Sequence, residues 1–298
     1  MARTARSIIL FCTYVLIISL NSATTTKAQD EESLLDLVSD STAEETEYIS
    51  YAFKSTRITN GGSIEMLGAG SLDFRVLHRF GPINQGVEEF FGLDQASTRL
   101  SFDYAPINDL LIGIGRSSVK KEIDGSLKYR LLQQSRGART MPATVVLVAG
   151  MTCQTLPWSD TSHPNYFSSR LGYFFQTHIG SKLSDVFSFQ LSPTLVHQNL
   201  VEQTSDPNDI FALGIGGRIR ITNRMSFTFE YYHAFNGMVE DVNYDPFALG
   251  FDIETGGHVF QVHVSNASGM NERAFITETY NSWKDIRLGF NLSRVFQL

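Results

Sequence analysis

The dominant pattern in this chain is an alternation of apolar and polar residues over its C-terminal three quarters. It is clearest in four windows, which are Leu72–Phe80, Gln95–Tyr104, Met225–Phe235 and Asp285–Ser293. A period of two is that of a β-strand whose two faces meet different surroundings. Each window is about nine to eleven residues long, which matches a tilted membrane strand better than the five or six residues typical of soluble sheets.

Eight further runs alternate less regularly and bring the total to about twelve strands. They are Leu110–Gly115, Ser126–Gln134, Ala143–Met151, Phe167–Ile179, Phe187–His197, Ile210–Ile221, Phe247–Ile253 and His258–Ser265. Short links such as Thr222–Arg224 alternate with longer ones such as Asn266–Lys284, as the turns and loops of bacterial outer-membrane barrels do. We therefore predict an all-β protein, a transmembrane antiparallel up-and-down β-barrel of about twelve strands, with fourteen as the alternative.

A soluble β-sandwich would also alternate and would also have short turns. The predicted strands, however, are long for a sandwich. Large aromatic residues stand at the ends of their apolar faces, for example Phe80, Tyr104, Phe235 and Phe296. Aromatic residues at this position form the girdles of membrane barrels, so the pattern favours a membrane protein over the sandwich.

The C-terminal segment Asp285–Leu298 is predicted to be the closing strand and the signal read by the barrel-assembly machinery. If this strand descends so that Leu298 ends in the periplasm, counting back makes Gly70–Phe80 the first ascending strand. Segment Tyr48–Arg57 then falls outside the strand count. The pattern leaves open whether this segment is periplasmic or luminal, or whether the strand count should rise by two.

The N-terminal residues have the features of a secretory signal. Arg3 and Arg6 precede the apolar run Ser7–Leu20, and Thr26–Ala28 offers a small-residue cleavage site before Gln29. The apolar run is shorter than the roughly twenty residues of a membrane-spanning helix, so an N-terminal anchor is the weaker alternative. We predict a signal peptide at residues 1–28, an acidic periplasmic tail at 29–47 and a barrel at 48–298, in the outer membrane of a Gram-negative bacterium.

Several stretches of the barrel region form a specific combination of motifs. They include LDFRVLHRFG from Leu72, NYFSSRLGYFFQ from Asn165, DPNDIFALGIGGR from Asp206 and GFNLSRVFQL from Gly289. Together they resemble a family of outer-membrane β-barrels from Bacteroidota that is catalogued only as a domain of unknown function. The resemblance runs from about Tyr48 to Leu298 and implies a location and an architecture. It supplies no substrate, reaction or catalytic residue.

If the apolar faces meet lipid, the alternate residues line the lumen. The charged candidates for lining the lumen are Arg75, Arg79, Arg99, Asp103, Lys128, Arg130, Arg170, Arg218, Arg220, Glu230, Asp252 and Arg287. This set is net basic although the chain carries a formal charge of -7. Such a lumen favours anionic solutes if it is filled with water. Alternatively, the arginines pair with inward carboxylates and plug the barrel.

Enzymatic and metal chemistry have little support in the sequence. His263 and Ser265 are two residues apart and share a strand face, which could pair a nucleophile with its base. The alternation places both side chains on the luminal face, where they cannot reach lipid. The histidines lack metal-ligand spacing, and Cys153 stands alone once Cys12 leaves with the signal. We expect no cofactor, metal site or nucleic-acid partner.

The sequence thus predicts a passive channel for small polar or anionic solutes that contacts outer-membrane lipid. A plugged structural or interaction barrel without transport is the alternative, and an outer-membrane hydrolase is the third possibility.

Overall fold

Twelve antiparallel strands form a closed barrel in the computed structural model, which describes residues 45–158, 162, 164–201, 206–236 and 243–298. The strands are β1 (Ser71–Pro82), β2 (Ala96–Ile107), β3 (Leu110–Ser117), β4 (Glu122–Leu132), β5 (Thr144–Gln154), β6 (Leu171–Lys182), β7 (Phe187–Gln198), β8 (Asp209–Arg220), β9 (Met225–Ala234), β10 (Phe247–Thr255), β11 (His258–Ser265) and β12 (Arg287–Gln297). Each pairs with its neighbours in the chain. The prediction of an up-and-down barrel of twelve strands is confirmed, and the alternative of fourteen strands is wrong.

The strands bury their polar face and expose their apolar face, which is the reverse of a soluble protein. In β1, Arg75 is 0% and Arg79 1% exposed, whereas Phe102 on the outer face of β2 is 46% exposed. An apolar exterior is stable only where lipid covers it, and the hydrogen-bonded ring leaves no strand edge unpaired within the bilayer. The alternation in the sequence thus separates a lipid-facing surface from a polar lumen.

The last strand closes the barrel against the first. Leu292 in β12 pairs with Val76 in β1, and the backbone N–H of Leu298 donates to the carbonyl oxygen of Gly70 at 2.9 Å. The chain therefore enters β1 and leaves β12 at the same end of the barrel. The role of this closing strand as an assembly signal remains a prediction.

The connections differ in length between the two ends of the barrel. Turns 108–109, 183–186, 221–224 and 256–257 join strand ends where β12 finishes, and the connections 83–95, 155–170, 199–208, 235–246 and 266–286 join strand ends on the other side. Two connections depart from this rule, because 118–121 is short and 133–143 is long. Short turns face the periplasm in bacterial barrels, so β12 descends as expected.

The segment before β1 folds into the lumen from the periplasmic end. We call residues 52–66 the N-terminal plug. Phe53, Ile58 and Asn60 are each at most 2% exposed, and an antiparallel bridge between Arg57 and Gly62 folds the segment back on itself. The sequence left open whether Tyr48–Arg57 is periplasmic, luminal or part of two further strands, and most of this segment is luminal. The predicted signal peptide and most of the acidic tail, residues 1–44, lie outside the described residues.

A second segment enters the lumen from the extracellular end. We call residues 266–279 the luminal loop, and it contains the helix α1 (Glu272–Thr277). Asn271 caps this helix by accepting a hydrogen bond from the N–H of Ala274 at 2.8 Å. Phe275 and Ile276 are 0% exposed and pack in an apolar cluster with strand residues such as Phe174 and Tyr232. No helix in the described part of the chain is long and apolar enough to cross a membrane.

Candidate functional site in the barrel lumen

The polar inner faces of the strands bring most of the predicted lumen residues together. Seven of them are buried there, namely Arg75, Arg79, Arg99, Lys128, Arg218, Glu230 and Asp252. Asp103 is partly buried beside them. The other four lie towards the strand ends. Arg130 pairs with Asp109 at a periplasmic turn, Arg170 stacks on Trp158 at 4.2 Å outside the barrel wall, and Arg220 and Arg287 are the last residue of β8 and the first of β12.

Two buried carboxylates belong to the same wall and were missed by the sequence analysis. Glu122 is 2% and Asp124 is 6% exposed. Both lie on the same face of β4 as Lys128, but they precede Ser126, where the predicted strand began. With them, the buried charged residues of the described strands are five basic (Arg75, Arg79, Arg99, Lys128, Arg218) and five acidic (Asp73, Glu122, Asp124, Glu230, Asp252). The basic excess expected from alternation is therefore offset.

Two of these cations form ion pairs within the wall. Arg75 pairs with Asp73, its neighbour on the same face of β1. Arg99 in β2 donates from Nε to Asp124 Oδ1 in β4 at 2.9 Å. Pairs of this kind compensate charge within the wall, and Arg75 donates in addition to Thr56 Oγ1 of the plug at 2.7 Å.

The tip of the N-terminal plug binds a single carboxylate through its backbone. Glu230 accepts hydrogen bonds from the N–H groups of Asn60 at 2.6 Å, Gly61 at 3.2 Å and Thr59 at 3.3 Å. Consecutive N–H groups that converge on one anion form a concave nest of partial positive charge. The carboxylate is 3% exposed, so these donors replace its hydration.

Side-chain amides of the wall bind the carbonyl groups of the same tip. Gln261 donates to the Ile58 carbonyl at 2.7 Å, and Asn291 donates to the Thr59 carbonyl at 3.0 Å. The Asn60 side chain is bound at both ends, since its amide nitrogen donates to Ser265 Oγ at 3.2 Å and its oxygen accepts from Arg79 at 3.1 Å.

Three further wall residues hold the flanks of the plug. Arg218 donates to the carbonyl of Ala52 at 2.9 Å, Lys128 to the carbonyl of Glu65 at 2.6 Å, and Gln190 to the carbonyl of Gly62 at 2.8 Å. Their partners are neutral backbone atoms of the plug. Arg218 and Lys128 thus bind the plug by its main chain, whereas Arg79 and Arg75 bind side chains of the plug, those of Asn60 and Thr56.

The carboxyl group of Glu65 lies inside the plug and accepts a hydrogen bond from the N–H of Phe53 at 3.0 Å. Burial raises the pKa of Glu65, and this effect exceeds the opposing influence of that hydrogen bond and of the charges on Lys128 and Arg218. Insertion of the plug therefore makes Glu65 easier to protonate than it is in water.

The luminal loop is held by a buried ionic cluster. Arg273 Nε donates to Glu122 Oε1 at 2.9 Å, and the guanidinium also pairs with Glu278. Although burial alone would raise the pKa of Glu278, the charges of Arg273 and Lys120 lower it below its usual value. Arg57 of the plug pairs with Glu272 of the loop at 2.9 Å, so the two inserted segments contact each other.

Little space remains between the two inserted segments and the wall. A cavity of about 40 Å³ is lined by residues that include Arg57, Asp103, Lys128, His178 and Glu272. This volume holds only one or a few water molecules. In the described part of the chain, the plug and the luminal loop therefore obstruct the lumen.

The predicted nucleophile and base do not form a catalytic pair. Ser265 Oγ donates to the carbonyl of Phe247 at 2.6 Å and accepts from the N–H of Ala267 at 3.1 Å. Both ring nitrogens of His263 lack a hydrogen-bond partner within the described residues. A base must reach the nucleophile's hydroxyl, and His263 does not.

Within the described ranges, no group of three or more His, Cys, Asp or Glu side chains is placed to hold a metal ion. Cys153 is a free, partly buried thiol.

Solved structures to which the chain is similar include a porin and an outer membrane protein. The porin NanC is 10% identical with a TM-score of 0.49, over 76% of this chain and 100% of that one. The outer membrane protein Omp33 of Acinetobacter baumannii is 9% identical with a TM-score of 0.40, over 76% and 98%. OmpF of Salmonella typhi is 8% identical with a TM-score of 0.38, over 76% and 97%. No curated protein matches the chain. Similarity at this level carries no solute over to this protein.

Residues 53–296 match the family described as a membrane bound beta barrel domain (DUF5777). The match begins at the second residue of the N-terminal plug and ends one residue before the end of β12, so it contains plug, wall and luminal loop together. An origin in Bacteroidota remains a prediction. A closed β-barrel that crosses a membrane is of the outer-membrane type. The chain is therefore an outer-membrane β-barrel that belongs to this membrane-bound barrel family.

Proposed function

We propose that this protein is a gated outer-membrane channel for small polar solutes, which the N-terminal plug keeps closed. The observation that carries the proposal is the way in which the plug is bound. The wall holds the main chain of its tip and flanks through polar side chains such as Glu230, Gln261 and Asn291. Water can take the place of the plug at each of these groups, because all of them hydrate readily.

The apolar residues of the plug do not oppose its movement strongly. Phe53, Ile58 and Ile64 form a cluster with one another, and the wall contributes Val146 and, less buried, Val148. Most of this cluster would move with the plug. Hydrogen bonds to the wall, each with a net value of about 0.5–1.5 kcal/mol, therefore hold the plug together with the burial of Phe53 and Ile58, which are 1% and 2% exposed.

The charges of the wall favour polar solutes without a strong preference for one sign. The buried wall residues nearly balance: once the internal ion pairs and Glu122, which pairs with Arg273 of the luminal loop, are set aside, three cations (Arg79, Lys128, Arg218) face two carboxylates (Glu230, Asp252). An anionic solute remains possible within this proposal as one member of a broader class of polar solutes. The ion selectivity of the open state measures that preference directly.

Single-channel recording in planar bilayers tests the proposal. We expect the wild-type protein to open rarely, and the double variant Asn60→Ala/Glu230→Gln to open at least about tenfold more often, because it loses charge-assisted bonds at the tip. Thr194→Ala is the matched control, since Thr194 is a buried wall residue that bonds to Gln176 and Ser192. The proposal is overturned if the folded double variant stays silent although hydrogen exchange detects a released plug.

A permanently closed barrel is the second candidate, and the luminal loop favours it. Phe275 and Ile276 pack on apolar inward residues of β6 to β9, including Phe174 and Val196. A wall designed for water would not carry this apolar patch. Silence of every plug variant in the recordings would support this candidate over the channel.

A further inference from the structure

The tip of the N-terminal plug occupies a built binding site in the wall. Five side chains from four strands converge on it, namely Arg79 (β1), Glu230 (β9), Gln261 and Ser265 (β11) and Asn291 (β12). All five are at most 3% exposed. We propose that this luminal site recognises short polar peptides with an Asn-Gly turn, and that the plug tip is its resident occupant. The proposal rests on the proposed function, because a peptide from outside reaches the site only when the tip has left.

The chemistry of the site is complementary to a peptide main chain. One carboxylate, that of Glu230, faces three successive N–H groups, and two amide donors face two successive carbonyl groups. A carboxylate only accepts hydrogen bonds, and the amide nitrogens of Gln261 and Asn291 only donate them. The site therefore recognises a peptide main chain that is folded into this turn, because only that conformation presents three N–H groups to one carboxylate and two carbonyl groups to the amides.

Specificity for asparagine comes from the two groups around the Asn60 side chain. Arg79, which only donates, binds its oxygen, and Ser265 Oγ accepts from its nitrogen. The Ser265 hydroxyl proton is already given to the Phe247 carbonyl, which leaves its oxygen free to act as the acceptor. An aspartate here would lose the donor to Ser265.

The residue after the asparagine must be glycine. A Cβ atom at Gly61 would clash with the hydroxyl group of Tyr232. Tyr232 is 3% exposed and packs against Phe275 with ring centroids 4.9 Å apart, so it cannot move aside freely. The wall thus selects the pair Asn-Gly.

The wall residues hold one another in place without the tip. Asn291 accepts from Arg79 at 2.9 Å and donates to Gln261 Oε1 at 2.9 Å, and Gln261 donates to Asp252 at 3.0 Å. These bonds lie entirely between strands of the barrel. A site whose side chains are already oriented loses less conformational entropy when a ligand binds.

Binding of a plug-derived peptide to the full-length Asn60→Ala protein in micelles tests the inference. The probe is a fluorescein-labelled peptide with the sequence of residues 55–63, STRITNGGS, and the readout is fluorescence anisotropy. The substitution weakens the protein's own tip, which otherwise competes at high effective concentration. We expect saturable binding to Asn60→Ala and binding at least about tenfold weaker to the wild type.

Three controls define the site. Adding Glu230→Gln to Asn60→Ala should weaken peptide binding at least about tenfold, whereas adding Thr194→Ala should leave it unchanged. If the Glu230 variant does not fold, Ser265→Ala replaces it, since this change removes only contacts of a hydroxyl group. Two variants of the peptide, one with alanine in place of the asparagine and one with alanine in place of the glycine that follows, should each bind at least about tenfold more weakly.

Competition separates peptides from other polar solutes. Unlabelled maltose and inorganic phosphate should not displace the probe at concentrations at which unlabelled peptide does. Displacement by either compound, equal binding of a scrambled peptide, or no saturable binding overturns the inference. Anisotropy does not depend on conductance, so the two proposals can fail separately. A barrel that binds the peptide but never conducts would refute only the channel. A barrel that conducts but does not bind the peptide would refute only the peptide site.

Discussion

At the scale of single residues, the interior of this barrel depends on charges that are fully removed from water. Arg273 is 2% exposed and lies between Glu122 and Glu278, which are 2% and 7% exposed. Such a cluster is stable only while every member is present, because a lone buried charge carries a large desolvation cost. The pair Lys182–Asp185 at the barrel end has a smaller cost, since its side chains are 23% and 77% exposed and remain in contact with water.

Replacement of Arg273 should therefore destabilise the protein strongly. We expect Arg273→Ala to lower the free energy of unfolding by about 3–5 kcal/mol. The control Lys182→Ala should lower it by less than about 1 kcal/mol. Denaturant unfolding in lipid vesicles measures both, and equal small effects would mean that the cluster is solvated.

Protonation of Glu65 should stabilise the inserted plug. Burial raises the pKa of this group above its ordinary value of 4.5. A raised pKa in the folded state gives stability that is complete below 4.5 and is lost as the pH rises through the raised value. We expect hydrogen exchange in residues 58–64, corrected for its intrinsic rate, to show a looser plug at neutral pH than at acid pH. Glu65→Gln should remove this dependence, and an unchanged dependence in that variant would assign it to another group.

At the scale of elements, the two inserted segments differ in what holds them. The wall binds the tip and flanks of the N-terminal plug through polar groups, whereas the luminal loop adds a compact apolar contact with the wall to its ionic cluster at Arg273. Phe275 of α1 is 0% exposed and meets Tyr232 edge to face with ring centroids 4.9 Å apart. We infer that the plug is the more easily released of the two, because water can replace its contacts but not those of Phe275.

Loss of the Phe275 ring should release the luminal loop while the barrel stays folded. We expect Phe275→Ala to cost about 3–5 kcal/mol, which exceeds what the short loop can withstand. Trypsin should then cleave after Arg273, which is buried in the wild type. Phe167→Ala is the control, since that ring is 69% exposed in another loop. Persistent resistance of Phe275→Ala to trypsin would show that the ionic cluster alone retains the loop.

At the scale of the whole molecule, the barrel is a polar core inside an apolar shell. The ring of twelve strands satisfies the backbone, and its exterior carries exposed apolar side chains such as Phe102, Ile114 and Phe251. Lipid must cover this surface, and the cost of a charge on it depends on depth. Val76 lies midway along β1, and Leu72 lies on the same face near its periplasmic end.

The depth dependence can be measured within this one strand. We expect Val76→Arg to destabilise the folded barrel in lipid by about 2–4 kcal/mol and Leu72→Arg by about 0–1 kcal/mol. Urea unfolding from vesicles provides the comparison. Equal costs at the two positions would contradict the assignment of this face to the lipid.

The sequence by itself determined the wall of this protein. Alternation in windows such as Leu72–Phe80 assigns each side chain to lipid or lumen, because successive residues of a strand point to opposite faces. The number of strands and the descending last strand follow from the spacing and length of the links. Even Glu122 and Asp124 were within reach of this rule, because they alternate with Ile123, and they were missed because the predicted run began only after Gly125, which carries no side chain to mark the outer face.

Only the tertiary structure decided what fills the lumen. The plug segment has no regular period, and its partners are remote in the chain, as Asn60 and Glu230 are 170 residues apart and Thr59 and Asn291 are 232 apart. Hydrogen bonds from backbone groups leave no trace in side-chain periodicity, so neither the tip nor its binding site could be predicted. Arg273 meets Glu122 across 151 residues for the same reason. A local pattern specifies faces, whereas contacts between remote segments exist only after the barrel has closed around them.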